Sequence, residues 1–451
     1  MMPQHPEMAE HAMGPASERF PLTPSVSIPV EDAGAYDVIV VGGGLSGVCA
    51  AVAAARTGAR TLLGEALPFV GGNGTTGLPI SGLCARNSDR MIVGGIVTEI
   101  IEMLRKRGGV GADVKHMDWI PVDAEQLQLV LGDLLHTAGV TLLTYSPLLA
   151  VTREQSLIRD LCFYNKDGRA LRYRAGAFVD SSGDAQLARL AGLTTPMGRQ
   201  SDGHTQTMSL VFSVAGVDEA RAERNSVVSE AWNQFQASRT TRNKRRDPSV
   251  NDVFGRPGWR SFIATRVSVR KGTDNRLLAE AELEGRRQIE EFIDSFLRPV
   301  AGYENCFLAQ IASHVGVRET RRISGLYEIT TADLVAGRKF DDAIACNASS
   351  IEIHLPDQGL PHWEHLEDGD YYTVPYRALV AREVDNLFTS GRCISATHEA
   401  LAALRVLSPA MATGQAAGTA AALSALRGVA ANRLDVAELR ATLRAAGAVV
   451  E

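Results

Sequence analysis

The chain is poor in everything that marks a metal or dithiol protein. Its six cysteines, at 49, 84, 162, 306, 346 and 393, are scattered, and none forms a C-x-x-C pair. That spacing removes a vicinal dithiol relay, a recognisable structural zinc site and ordinary iron–sulfur ligation. A reducing cytoplasm suits such a set of thiols. No apolar run reaches the 18 residues of a membrane span; the nearest stretch, Pro409 to Leu426, is Ala-rich and carries Gln415 and glycines better suited to a buried helix. The densest basic run, Arg239 to Arg246 (RTTRNKRR), is too short for a nucleic-acid footprint and reads as an exposed loop. Residues 1–35 open with neither a charged n-region nor an apolar h-region, which predicts a flexible extension and no secretion signal.

What is present points to a nucleotide. At 451 residues the chain exceeds what one hydrophobic core usually holds, so at least two domains are expected. The central stretch is Tyr36 to Gly58, YDVIVVGGGLSGVCAAVAAARTG. Val38 to Val41 has the β-branched character of a buried parallel strand. Gly42, Gly44 and Gly47 then give G-x-G-x-x-G, and Leu45 and Ser46 open an Ala-rich helix. In this pattern the first glycine allows a tight turn, the second bares backbone for a pyrophosphate, and the third lets helix and strand approach. The helix N-terminus adds unpaired N–H groups and the positive end of its dipole. A second strand, Arg60 to Leu63, leads to Glu65, where an acid is expected to accept the ribose hydroxyls of an adenosine.

Further along, Gly71, Gly72 and Asn73 lie in a glycine-rich loop within reach of the same ligand, with Thr75 and Thr76 beside them. Helices are expected over Ile92 to Lys106 and Asp123 to Ala138, and a strand over Val140 to Tyr145. A β-meander follows, with strands at Leu148 to Thr152, Ile158 to Asn165, Ala170 to Arg174 and Ala177 to Asp180. It delivers VDSSGDA, in which Asp180, Gly183 and Asp184 form a strand-to-helix turn able to close over a dinucleotide. From Thr195 the character changes: strands at Met208 to Val214 and Phe262 to Val269 alternate with charged helices at Val217 to Gln236 and Asp274 to Phe296. In GVRETRRISG, strand alternation would put Arg318, Thr320 and Arg322 on one side and Arg321 on the other. The chain then returns through LFTSGRCISATHEALAALRV, with a strand over Leu387 to Ser390 and a helix starting at Pro409.

Taken together, VIVVGGGLSG, the glycine pair after Glu65, VDSSGDA, GVRETRRISG, VPYRALV and LFTSGRCISATHEALAALRV…GQAAGTAAA resemble the FAD-dependent oxidoreductase family of the glutathione-reductase-like fold, in its large and poorly assigned bacterial branch. The resemblance runs from Tyr36 to Leu426. It implies an α/β protein: a doubly wound, Rossmann-like FAD-binding domain over 36–195 and 370–430, an inserted α+β substrate or cap domain over 196–369, and a C-terminal helix in 431–451. It also implies one FAD, held by Gly42, Gly44, Gly47, Glu65, Gly391, Arg392 and the Gly414, Gln415, Gly418 segment. Two departures stand out: Glu65 is followed by Ala66 where the family commonly has Arg, and the D-A-T-G-D pattern reads DSSGD.

A second G-x-G-x-x-G followed by an acid is absent, so a dedicated nicotinamide domain is not expected. The reading is therefore a dehydrogenase or oxidase that takes a hydride from a small, possibly anionic organic substrate, and passes electrons to oxygen, a quinone or a carrier. A flavin monooxygenase and a noncatalytic flavin-binding protein are the alternatives. His354 and His398 are the candidate bases. Arg318 is the preferred substrate anchor, Tyr376 and Arg377 come next, and Cys84 is a weaker candidate. The histidines of EIHLPDQGLPHWEH are read as surface residues, and no catalytic metal is expected.

Overall fold

The computed structural model describes residues 27–110, 119–223, 225–356 and 358–451. Most of the expected N-terminal extension, with His5 and His11, lies outside these residues, as does His116. The first strand, Val30–Val41, starts ahead of the boundary drawn at residue 36: Val30 to Tyr36 pair with Ala170 to Ala175 of the strand Ala170–Asp180. Residues 30–35 thus belong to the sheet and not to an extension. Val38 to Val41 are buried because strands lie on both sides of them, Thr61–Gly64 and the end of Ala170–Asp180.

These strands belong to a mixed seven-stranded sheet. Thr141–Leu143, Thr61–Gly64, Val30–Val41, Ala170–Asp180 and Leu387–Thr389 run parallel. Leu157–Tyr164 and Leu148–Glu154 extend the sheet antiparallel. The two strands expected at Ala170 to Arg174 and Ala177 to Asp180 are one. Its first half pairs with the hairpin strand Leu157–Tyr164 and its second half with Leu387–Thr389, so Gly176 passes between two partners without ending the strand. The strand order reverses between Val30–Val41 and Ala170–Asp180. In a doubly wound sheet the ligand crevice opens at that switch point, beyond the carboxyl ends of the strands.

Two helices pack together on one face of this sheet, Leu45–Arg56 and the 21-residue Leu407–Arg427. A Cβ on Gly414 would collide with the carbonyl of Ser46, and one on Gly418 with the carbonyl of Ala50. Glycines four apart therefore let one helix lie against the backbone of the other. The long helix begins at Leu407, so Pro409 stands within its first turn, where an N–H would have no intrahelical partner.

The second sheet is antiparallel, in the order Phe307–Ile311, Phe212–Ala215, Arg260–Ile263, Ser249–Asp252. Helices Asn225–Ser238 and Asn275–Glu291 accompany it, the latter continued by a wide turn over Phe292–Leu297. Its strands are shorter than expected because Met208 and Ser209 make only single bridges, to Val267 and Gly316. The boundary expected at 369/370 falls inside a paired unit: Ala343–Asn347 pairs with Tyr372–Pro375, and both lie in the large core of the first sheet.

Candidate active site

The site grows from the turn after the first strand. Gly42 has a φ of +96°, donates its N–H to Gly64 O at 2.8 Å, and would bring a Cβ to 2.5 Å from Ser182 Cα. Only glycine fits. Gly47 is equally confined, since its Cβ would strike the Gly42 carbonyl, whereas a Cβ on Gly44 would meet nothing within 4 Å. Open space therefore lies over Gly44, at the N-terminus of Leu45–Arg56, where the first-turn amides have no intrahelical acceptors. Glu65 braces the turn from the side: its carboxylate accepts from Gly43 N at 2.5 Å and Leu67 N at 2.7 Å. Burial raises its pKa and these amides oppose the rise. Gly71 N donates to Gly43 O at 2.7 Å, which lays the second glycine loop on the first, with Gly72 against Gly44. Asn73 is engaged elsewhere, with His314 Nε2 and Val317 O, both at 3.1 Å.

The turn after Ala170–Asp180 closes the other side. Ser181 N donates to Val41 O at 2.9 Å. The buried Asp180 carboxylate accepts from Ser182 Oγ at 2.6 Å and Ala188 N at 3.0 Å; burial pushes its pKa up. Asp180 thus fixes the turn from within and does not face the open space. Beside it Ser46, Ser390 and Ser181 form a buried hydroxyl chain with both links at 2.7 Å. Asp184 accepts from Thr320 Oγ1 at 2.7 Å and pairs with Arg392 at 3.3 Å. A Cβ on Gly183 would meet that guanidinium, and Arg392 Nη1 is buried without a partner.

Further out, His398 opens the helix His398–Leu404 behind the Thr397 cap. Its Nδ1 lies 2.8 Å from the Glu319 carboxylate, and its Nε2 is buried with no partner. Glu319 is wholly buried, and also accepts from Arg322 at 2.6 Å and from Gln206 N at 3.1 Å. The Arg322–Glu319–His398 chain holds the imidazole with its second nitrogen free. Neither Arg322 nor Glu319 forms a surface ion pair. The alternation expected for this segment does not hold either: Thr320 and Arg321 both reach the Asp184 turn, and Arg322 folds back on Glu319.

Several expected site residues do other work. Gly414 and Gly418 are covered by the helix Leu45–Arg56, which leaves a ligand no access to them. Gln415 accepts from Ile96 N at 3.0 Å, capping the helix Ile96–Lys106. Gly391 packs on Ser46 and donates its N–H to Thr413 Oγ1 at 3.2 Å. Tyr376 donates to Ala431 O at 2.7 Å, and Arg377 pairs with Asp342 at 2.9 Å, so neither is a substrate anchor. His354 is buried against Glu352 at 3.0 Å, with Arg318, Arg405, Arg245 and Arg266 around it. Burial, then those four cations, drives its pKa far below the usual histidine value, which leaves it neutral and a poor proton acceptor there. Arg318 differs from these: it donates only to neutral acceptors, Thr207 O at 2.7 Å and Ser209 Oγ at 3.0 Å, so it keeps its place as a candidate anchor. Cys84 is buried, with its Sγ 3.6 Å from Met91 Sδ. His362 and His365 have separate partners, Glu364 and Ser350, and among the described residues no three His, Cys, Asp or Glu side chains converge as a metal site.

Sequence reasoning gave no role to Glu319, Gln206, Arg405, Arg245 or Arg266. Arg245 lies in the run read as an exposed loop, yet it is 5% exposed. Arg405 alone left a signal, a guanidinium at the end of the apolar HEALAALRV.

A parallel sheet with a glycine turn and open helix N-terminus at its switch point defines a Rossmann-like nucleotide-binding enzyme. The chain belongs to the FAD dependent oxidoreductase family, whose profile matches residues 37–443. It is an FAD-using oxidoreductase. A search of curated proteins found no match. Among solved structures it is similar to a p-nitrophenol 4-monooxygenase from Pseudomonas putida (12% identity, 91% of this chain and 84% of that one, TM-score 0.47). It is also similar to a geranylgeranyl bacteriochlorophyll reductase-like protein from Thermoplasma acidophilum (16%, 88% and 79%, 0.45) and to a flavin-dependent brominase (11%, 91% and 82%, 0.45). The residues fit FAD: the space over Gly44, the amides of the first helical turn and the unpartnered Arg392 Nη1 all suit an anionic dinucleotide. Among the described residues no helix is long and apolar enough to cross a membrane.

Proposed function

We propose that the protein is an FAD-dependent dehydrogenase or oxidase acting on a small organic substrate, with His398 as its general base. The observation that carries this reading is the buried His398–Glu319 pair with an unpartnered Nε2. When bound, FAD supplies the two-electron acceptor for a hydride from the substrate, and oxygen, a quinone or a carrier takes the electrons on. The chain's own residues do the rest. Gly44 and the amides at Leu45 and Ser46 would cradle the pyrophosphate. Glu65, already set by Gly43 and Leu67, would meet the ribose, and Arg392 with Asp184 would flank the cofactor from the opposite turn. Glu319 accepts from His398 Nδ1–H, which fixes the tautomer, turns Nε2 toward an incoming proton and stabilises the imidazolium that results. Arg322 holds the carboxylate in place for that task.

In this reading the glutathione-reductase-type arrangement places the four-stranded sheet and its helices as an inserted substrate-facing domain. Six cysteines without a disulfide suit a reducing cytoplasm. Purified protein should be yellow, with flavin released intact on denaturation. After a substrate screen, stopped-flow mixing under anaerobic conditions should show His398→Ala reducing its flavin about 10²-fold more slowly than wild type, with FAD retained. Reduction at the wild-type rate would remove His398 from the reaction. Flavin bleached only by a nicotinamide, with the organic substrate acting as effector, would make the protein a monooxygenase.

A further inference from the structure

The charge around His354 is not balanced. Four guanidinium groups, Arg245, Arg266, Arg318 and Arg405, share a region with three carboxylates, Asp247, Glu352 and Glu319, the last already paired with Arg322. Most of their hydrogen bonds go to neutral atoms. Arg266 donates to Gly359 O at 2.6 Å and Leu355 O at 3.4 Å, Arg318 to Thr207 O and Ser209 Oγ, and Arg405 to Gln206 Oε1 at 3.1 Å and Glu352 O at 3.3 Å. Arg245 alone reaches a carboxylate, Asp247, at 3.4 Å. Arg245 and Arg266 are buried, and Arg318 and Arg405 are half-buried. Arg266, Arg318 and Arg405 are thus fixed in geometry by neutral acceptors and make no direct ion pair.

The same region collects polar atoms that have no partner. Thr205 Oγ1, Gln206 Nε2, Thr207 Oγ1, Arg266 Nε and Arg405 Nε are all buried and unbonded. An unsatisfied buried donor is costly, so a group of them on neighbouring residues marks a place that a ligand completes. Every one can donate, and the guanidinium groups of Arg318 and Arg405 keep further N–H donors beyond the bonds they make, in the planar geometry that matches a carboxylate. Burial first, and for Arg318 then the neighbouring cations Arg405, Arg245 and Arg266, keep both guanidinium groups below their ordinary pKa, and a bound anion would oppose that shift. Gln206 joins these donors to the catalytic pair: its backbone N–H donates to Glu319 at 3.1 Å while its Oε1 accepts from Arg405.

We infer that the substrate is a carboxylic acid whose carboxylate is held by Arg318 and Arg405, with donors from Thr205, Gln206 and Thr207, at a place linked to the base His398 through Gln206 and Glu319. This rests on the reading of His398 and Glu319 as the catalytic pair. Arg245 and Arg266 are positioning residues that keep the local potential positive. Isothermal titration calorimetry on the yellow protein tests it, with succinate, benzoate and inorganic phosphate as probes. At least one carboxylate should bind more tightly than phosphate. Arg405→Lys, which keeps the charge and loses the fork, should weaken that binding about 10-fold or more, and Thr205→Val should weaken it severalfold, both with FAD occupancy unchanged. Wild-type protein that binds neither carboxylate, binding equal in wild type and both variants, or a preference for phosphate overturns the inference. Heat of binding is read separately from flavin absorbance. A protein that takes up carboxylate through Arg405 but never holds FAD would break the flavin reading and leave the anion site standing.

Discussion

The two sheets are packed by opposite means. Around the parallel sheet the helices meet through Ala, Gly and Val: Ala50, Ala51, Ala53 and Ala54 on one side, Ala416, Ala417, Ala420 and Ala421 on the other, with backbone touching backbone at Gly414 and Gly418. The four-stranded sheet is packed by Phe212, Trp232, Phe262, Phe292, Phe296 and Tyr303, with Phe212 and Phe262 stacked at 5.2 Å. Only 6% of the chain is aromatic, so this concentration belongs to the second core and not to composition at large. A core whose contacts are backbone has no rotamers left to adjust, and it holds the two turns at the sheet's switch point in one relation. A core of rings is filled by side chains that can re-settle. Several buried charges gather instead around the uncharged segment 205–209: Glu319 accepts from Gln206 N, Arg245 donates to Ser209 Oγ, and Arg322 pairs with Glu319.

If that division of labour is right, the largest loss should come from breaking charge and not from altering either core. Glu319→Gln leaves Arg322 buried without its counter-ion. We expect about 3–5 kcal/mol of destabilisation by urea unfolding, as for other broken buried pairs. The same variant should slow flavin reduction. A loss under about 1 kcal/mol, the range of an exposed pair, would show that Arg322 and Glu319 are hydrated in solution.

Next in size is the helix crossing. Gly418→Ala should cost about 1–3 kcal/mol as an overpacked contact, despite alanine's better helix propensity, and should lower FAD occupancy because the glycine turn moves with its helix. A stabilised variant would mean that the helices stand further apart than described. In the aromatic core, Phe296→Leu should cost about 1–1.5 kcal/mol in the same assay and leave FAD occupancy unchanged. Loss of flavin there would erase the distinction between the two cores.

The smallest effect is one of pH. His354 is held neutral in the folded protein, so its pKa lies below that of the unfolded chain. Below the unfolded value of about 6.5 the unfolded state binds the extra proton, and stability falls as pH falls, by up to about 1.4 kcal/mol per unit. The carboxyls of Asp180, Asp247 and Glu65, raised by burial, pull the other way in the acid range. The difference between wild type and His354→Gln isolates the histidine. Stability should drop more steeply for wild type between pH 6.5 and about 5.5, and parallel curves would place His354 in contact with water.

By itself the sequence determined the parallel strand, its glycine turn and the helix behind it, because each is a local matter: β-branched residues for a strand buried on both faces, Gly42 for a left-handed turn, small residues for a helix pressed on a sheet. It also marked Asp180, Glu65 and His398 as residues worth following. Only the tertiary structure decided what each does. Gly414 and Gly418 read equally well as a surface for a ligand or for a helix, since glycine permits close approach by either, and the choice fell to the helix Leu45–Arg56. Arg245 and Arg405 stand 160 positions apart, and Gln206 and Glu319 113. No local pattern records which distant chain supplies a charge or a carbonyl, and burial, which turns such neighbours into a site, exists only once the sheets have packed.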